Sequence, residues 1–159
     1  MIIFSDMNKY LLTHTALKEI GFTLLAEGKT LKIKADGFSM YPAIKPGSVI
    51  YIEPCKAGSE PAAGDIIAWK RESSFVVHRL VSIIKKNDHL LFITRGDSSI
   101  AEDEPVDADQ IAGRIVRIEY PEGNPALIVR DNKKTPDYKL NRFRVRVILQ
   151  LIRLQRIFS

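Results

Sequence analysis

Three side-chain types that acyl transfer needs occur in order along this chain. Ser39 lies in Gly37-Phe38-Ser39-Met40-Tyr41-Pro42, His78 stands before Arg79, and an acidic segment carries Asp97 in Gly96-Asp97 and then Asp103 beside Glu104. A serine hydroxyl is a weak nucleophile at neutral pH until a base takes its proton, and an imidazole base needs a third group to fix its tautomer. Gly37 permits close backbone approach, and Pro42 stiffens the exit and removes a donor. Such a turn exposes the Ser39 hydroxyl and turns nearby N–H groups toward an oxyanion. His78 suits a general base near neutral pH, and a carboxylate from the acidic segment suits its second nitrogen.

Each residue also has a plain structural reading. Turns collect serine, glycine and proline on conformational grounds alone. A single histidine at a strand end is commonly structural, and acidic runs in loops are commonly solvated. His14 and His89 carry only that plain reading. No Cys/His pairing has zinc spacing, and nothing calls for a metal or a cofactor.

The elements that must position these groups follow from periodicity. The chain has 159 residues, enough for one domain with a core of its own, and its single cysteine, Cys55, excludes an internal disulfide. Apolar positions Leu11, Leu12, Thr15, Ala16, Ile20, Leu24 and Leu25 predict a helix from about Asp6 to Glu27, capped by Asp6 or Asn8 and closed by Gly28. Gly21 weakens its middle. From Leu31 the period changes to two. Short β-branched or aromatic runs follow at Leu31–Ala35, Val49–Ile52, Ile66–Trp69, Phe75–Val77, Leu80–Ile84, Leu90–Thr94 and Ile111–Ile118. Turn residues separate them at Lys45-Pro46-Gly47, Ala63-Gly64-Asp65, Lys86-Asn87-Asp88 and Tyr120–Asn124. A mostly-β folded sheet or barrel is expected, with a helix at each end. The expected divisions are 1–30 helical, 31–130 β-rich and 131–159 a basic amphipathic helix.

Charge is unevenly placed. From Arg130 to Ser159 there are nine Lys/Arg against two Asp, while the whole chain carries +5. In that segment Leu140, Phe143, Val147, Leu151, Leu154 and Phe158 recur at helical spacing, with Arg142, Arg146, Arg153 and Arg156 largely elsewhere on the wheel. One reading packs this helix on the β-core with its arginines in solvent. The other makes it a peripheral contact on anionic lipid. Nucleic acid is disfavoured, because few base-stacking aromatics interleave the charges. No stretch reaches the roughly 18 apolar residues of a membrane span. Met1-Ile2-Ile3-Phe4 stops at Ser5-Asp6 without a secretory pattern. The expectation is therefore a cytoplasmic protein, peripheral to a membrane if it meets one.

In combination the motifs resemble the catalytic domain of type I signal peptidases and the related self-cleaving repressors. Gly37–Pro42 is similar to that superfamily's S-M-x-P nucleophile box, and Lys45–Ile50 to the turn and strand after it. Gly64-Asp65-Ile66-Ile67, Val77-His78-Arg79-Leu80-Val81, Arg95–Asp103 and Ile111–Ile115 resemble the later boxes, in order, between about Ile33 and Glu119. Most bacterial members place a lysine base where this chain has His78. Histidine there resembles the endoplasmic-reticulum-type branch. The resemblance implies Ser39 as nucleophile, His78 as base and Asp103 as orienting acid, with Asp97 as the alternative acid.

The departures also carry weight. The residue two before the nucleophile, often a serine that helps hold the oxyanion, is Gly37. An oxyanion hole at Gly37 and Ser39 would then rest on backbone N–H groups, chiefly that of Ser39. No membrane anchor of the signal peptidase kind is expected, and only about 30 residues precede the β-region, too few for a DNA-reading domain. The resulting expectation is a serine endopeptidase acting on an extended peptide or leader segment. The substrate is expected to pair with an exposed strand, with Leu31–Ala35 and Phe75–His78 as candidate edges. A non-catalytic peptide-binding module on the same fold is the alternative.

Overall fold

A computed structural model describes residues 14–55, 58, 60–72, 74–121, 127–129 and 136–158. The expected helix start at Asp6 or Asn8 and the turn residues Glu122 to Asn124 lie outside them. Helix α1 runs His14–Ala26, followed by strands β1 Leu31–Ala35, β2 Ser48–Glu53, β3 Ile66–Arg71, β4 Ser74–Lys86, β5 His89–Arg95, β6 Val106–Asp107, β7 Ile111–Glu119 and β8 Leu127–Ile128. Helix α2, Tyr138–Phe158, comes last. The fold is a mostly antiparallel β-sheet with a helix at each end. Seven strands follow the path β1-β2-β7-β3-β4-β5-β6, and β8 pairs with β7 off it.

β3 is the spine of the sheet. Alternation sends Ile66 and Ala68 to one face and Ile67 and Trp69 to the other, and all four are buried. Two apolar clusters result. One gathers Leu25, Leu31, Met40, Ile44, Ile50, Ile52, Ile115 and Ile118 around Ile66 and Ala68; the other gathers Leu80, Phe92 and Val106 around Ile67 and Trp69. A strand buried on both faces reads as a continuous apolar run, which is how Ile66–Trp69 reads.

Gly21 has a steric reason. A Cβ there would lie 3.1 Å from Leu31 Cδ2 and 3.2 Å from Phe75 Cε2, so the bare backbone lets α1 settle onto β1 and β4. The Phe22 and Phe75 rings then meet with centroids 3.9 Å apart. Leu25 is buried, but Ile20 stays exposed, so it is not part of the helix's buried face as its spacing predicts.

The runs Phe75–Val77 and Leu80–Ile84 form one strand, not two. β4 crosses the His78-Arg79 pair without a break, because both polar side chains find carboxylates (below). A register shift between Leu80 and Ser82 bends β4 where it leaves β3 for β5. Residues Ser74 to Arg79 pair with β3, and Arg79 to Lys86 pair with β5. Among the described residues, Phe75 to His78 therefore keep one edge without a strand partner. The outer edge of β1 is in the same state, since β1 pairs only with β2. The β4–β5 hairpin turns on Asn87 and Asp88, at φ 48° and 62°, the left-handed pair a two-residue hairpin loop needs.

Candidate active site

The alternation of β4 sends His78 and Arg79 to opposite faces, and each meets a different carboxylate. His78 Nδ1 lies 2.5 Å from Asp103 Oδ2. Arg79 Nε and Nη2 reach Asp97 Oδ1 and Oδ2 at 2.8 and 2.7 Å, a planar two-point pair, and Arg79 Nη1 donates to the Gly64 carbonyl at 2.8 Å. Asp97 and Arg79 are both buried.

Asp103 is brought to His78 by β5. Its backbone N–H donates to the Thr94 carbonyl at 2.8 Å, and Thr94 Oγ1 donates to Asp103 Oδ2 at 2.7 Å. Arg71 Nη2 adds a donor to Oδ1 at 3.2 Å. Burial raises the Asp103 carboxyl pKa, but hydrogen bonds from His78 and Thr94 and the positive charges of His78 and Arg71 lower it more, so it sits below its ordinary value. An ionised carboxylate only accepts. In the neutral ring the proton shared with Asp103 is therefore assigned to Nδ1, which leaves the lone pair on Nε2.

Nε2 and the Ser39 backbone both border Gly96. A Cβ built on Gly96 would lie 3.0 Å from His78 Nε2 and 2.8 Å from the Ser39 carbonyl oxygen, and it would collide with Ser99 Oγ. Gly96 is the place where β5's exit, the imidazole and the serine turn come together. Its φ lies outside the left-handed region, so the need for glycine is space. The turn is tied down by Ser98, whose N–H donates to the Ser39 carbonyl at 2.9 Å and whose Oγ donates to the Phe38 carbonyl at 2.7 Å. Within the turn, Tyr41 N–H donates to the Phe38 carbonyl at 3.0 Å and Ile44 N–H to the Met40 carbonyl at 2.9 Å. Met40 is buried while Ser39 and Gly37 are exposed, so the core holds the turn by one side chain and presents the next. A Cβ on Gly37 would have no atom within 4 Å, so the space two residues before Ser39 is open.

Beside Ser39 lies a cavity of about 240 Å³ with Ala35, Met40, Ile44, Phe75 and Val77 among its lining residues. It sits between the two strand edges that lack a partner, and its walls are mainly apolar. Among the described residues, no group of three or more His, Cys, Asp or Glu side chains could hold a metal ion.

The structure thus brings Ser39, His78 and Asp103 to one place and holds Asp97 on Arg79 instead of on His78. Sequence reasoning did not single out Thr94, Ser98 or Asn141. Thr94 had a signal: it shares the inward parity of Phe92 on β5, and a buried hydroxyl must find a partner. Ser98 and Asn141 had none, because their partners, the Phe38 and Asp97 carbonyls, are 60 and 44 residues away.

No model of a known protein family matches the chain. Over 96 residues it is 35% identical to "Signal peptidase I W" of Bacillus subtilis (strain 168), a stretch that covers 59% of this chain and 50% of that protein. The chain spans about half the length of this curated relative, and what the two share supports kinship with the type I signal peptidases.

Proposed function

We propose that this chain is a serine endopeptidase of the signal peptidase type that cleaves an extended peptide or leader segment. One observation carries the reading: His78 is gripped at Nδ1 by Asp103, and its Nε2 borders Gly96 together with the backbone of Ser39. Ser39 Oγ attacks the peptide carbonyl as its proton passes to His78 Nε2, and the Asp103 carboxylate stabilises the imidazolium. The Ser39 N–H holds the oxyanion. His78 then protonates the leaving amine, and the acyl ester on Ser39 is hydrolysed by a water that gives its proton to the same nitrogen.

The substrate lies extended along the open edges of β1 and of Phe75 to His78, with main-chain hydrogen bonds on the strands. The residue before the cleaved bond enters the cavity, whose mainly apolar walls favour an uncharged side chain. Likeness to a protein named as a signal peptidase supports the same class of reaction.

The test is acylation by a serine-reactive probe, read by intact mass, together with cleavage of a peptide library. A single adduct on Ser39 that vanishes in Ser39→Ala and is nearly lost in His78→Ala is expected. A folded wild type that neither takes the probe nor cleaves any peptide would overturn the peptidase reading in favour of a peptide-binding module.

A further inference from the structure

The apolar stripe of α2 does not cover the core. Leu140, Phe143, Val147, Leu151 and Leu154 all lie exposed, Phe143 at 62% and Leu151 at 55%. The side of α2 turned to the body is another one. Asn141 is buried, and Val145, Ile148 and Ile152 are half-buried. Of the two readings of this helix, the one that packs the Leu140–Leu154 stripe on the sheet does not match these exposures. The sheet already has its two clusters, and α2 meets the body through its first turn. There Asn141 Nδ2 donates to the Asp97 carbonyl at 3.1 Å, and the Arg95 guanidinium lies 3.8 Å from the Tyr138 ring centroid.

The charge on α2 is one-sided in sign. It carries Lys139, Arg142, Arg144, Arg146, Arg153 and Arg156 and no acidic residue. At 100° per residue, Lys139, Arg146 and Arg153 lie on one side of the stripe and Arg144 on the other, with the half-buried Arg142 further round. A second copy of α2 would set arginines against arginines. Nucleic acid would leave the apolar stripe in water. A surface that offers anionic headgroups over an apolar layer matches both features at once. Ile100, 69% exposed, adds an apolar side chain beside the first turn, since its carbonyl accepts from the same Arg95 that stacks on Tyr138.

We infer that α2 is a lipid-surface helix. Its Leu140–Leu154 stripe enters the headgroup–acyl boundary of an anionic bilayer, with the flanking arginines at phosphate level. The Asn141 and Tyr138 clamps connect the helix to the 95–100 loop, whose Ser98 holds the Ser39 turn, so the bound state keeps the site close to the bilayer. Binding to lipid does not depend on the peptidase reading.

The test uses the full chain as Ser39→Ala, so that binding is measured apart from cleavage. Sedimentation is compared with phosphatidylcholine vesicles, with and without phosphatidylglycerol. The expected result is partition onto the anionic vesicles only, weakened by salt. Phe143→Ser with Leu151→Ser should lower it about tenfold or more, and Arg142→Glu with Arg146→Glu and Arg153→Glu should abolish it. All the substituted positions are exposed except the half-buried Arg142, and circular dichroism checks that the fold is kept. Absence of partition by the folded chain, or partition indifferent to both variant sets, overturns the inference. A self-association removed by the stripe variant, with no lipid binding, assigns the face to a second copy. Binding to oligonucleotides but not vesicles assigns it to nucleic acid.

Discussion

Asp97 grips Arg79 with both carboxylate oxygens, behind the strand that carries His78, and neither side chain of the pair is open to solvent. A buried ion pair broken on one side leaves an uncompensated charge, at a cost of about 3–5 kcal/mol. Asp97→Asn should therefore lower the unfolding free energy by an amount of that order, measured by urea denaturation. Asp103→Asn should act differently. It leaves the fold largely intact and reduces kcat by about 10⁴, because an amide can favour the wrong imidazole tautomer. Equal effects of the two variants on stability and on kcat would contradict this division of labour.

Gly96→Ala tests the meeting point of the site. The added methyl would fall 2.8 Å from the Ser39 carbonyl and 3.0 Å from His78 Nε2, so either the turn or the ring must move. Displacement of catalytic groups by about 1 Å costs on the order of 10²-fold in rate. We expect kcat/KM to fall by that order with a smaller change in melting temperature. An alanine variant with wild-type kinetics would show that the ring and the turn need not be this close.

Gly37→Ser runs in the opposite direction. A Cβ at residue 37 meets no atom within 4 Å, so the substitution starts in open space. Its hydroxyl would supply a second donor to the oxyanion that the proposed mechanism holds by the Ser39 N–H. Since one such donor is worth about 10²–10³ where it is optimally placed, an increase in kcat of about tenfold is expected from steady-state kinetics. A fall in kcat with unchanged stability would place the oxyanion on the other side of Ser39.

The pH dependence of stability follows from Asp103. Its carboxyl is held below its ordinary value in the folded protein, so the unfolded chain takes up the proton first as pH falls. The stabilisation is complete above the unfolded value of about 4 and is lost as pH drops through the lower folded value. The stability difference between wild type and Asp103→Asn should therefore shrink between neutral pH and about pH 3, followed by thermal unfolding across that range. A difference that grows on acidification would mean that the folded protein binds the proton more tightly.

Much of the architecture was legible in the chain because it depends on local chemistry. Leu31–Ala35 alternates, Ile66–Trp69 is apolar throughout, and Asn87-Asp88 tolerates the left-handed backbone its hairpin needs. These properties act within a few residues, so periodicity reports them. The motif order also made Ser39, His78 and Asp103 candidates. What the chain alone could not say is which acid faces the ring, since Asp97 and Asp103 stand six residues apart on one loop. That was decided by strand parity, which turns His78 to one face of β4 and Arg79 to the other, and by Thr94, which draws Asp103 in. Only the assembled sheet shows that Phe75–Val77 and Leu80–Ile84 are one strand, because their polar interruption is neutralised by carboxylates distant in sequence. The same holds for α2. Its amphipathic pattern is written in the sequence, but which face meets the body depends on a single buried amide, Asn141, finding the Asp97 carbonyl. Local propensity sets which elements form, whereas the pairing of buried polar groups across long sequence distances sets what they hold.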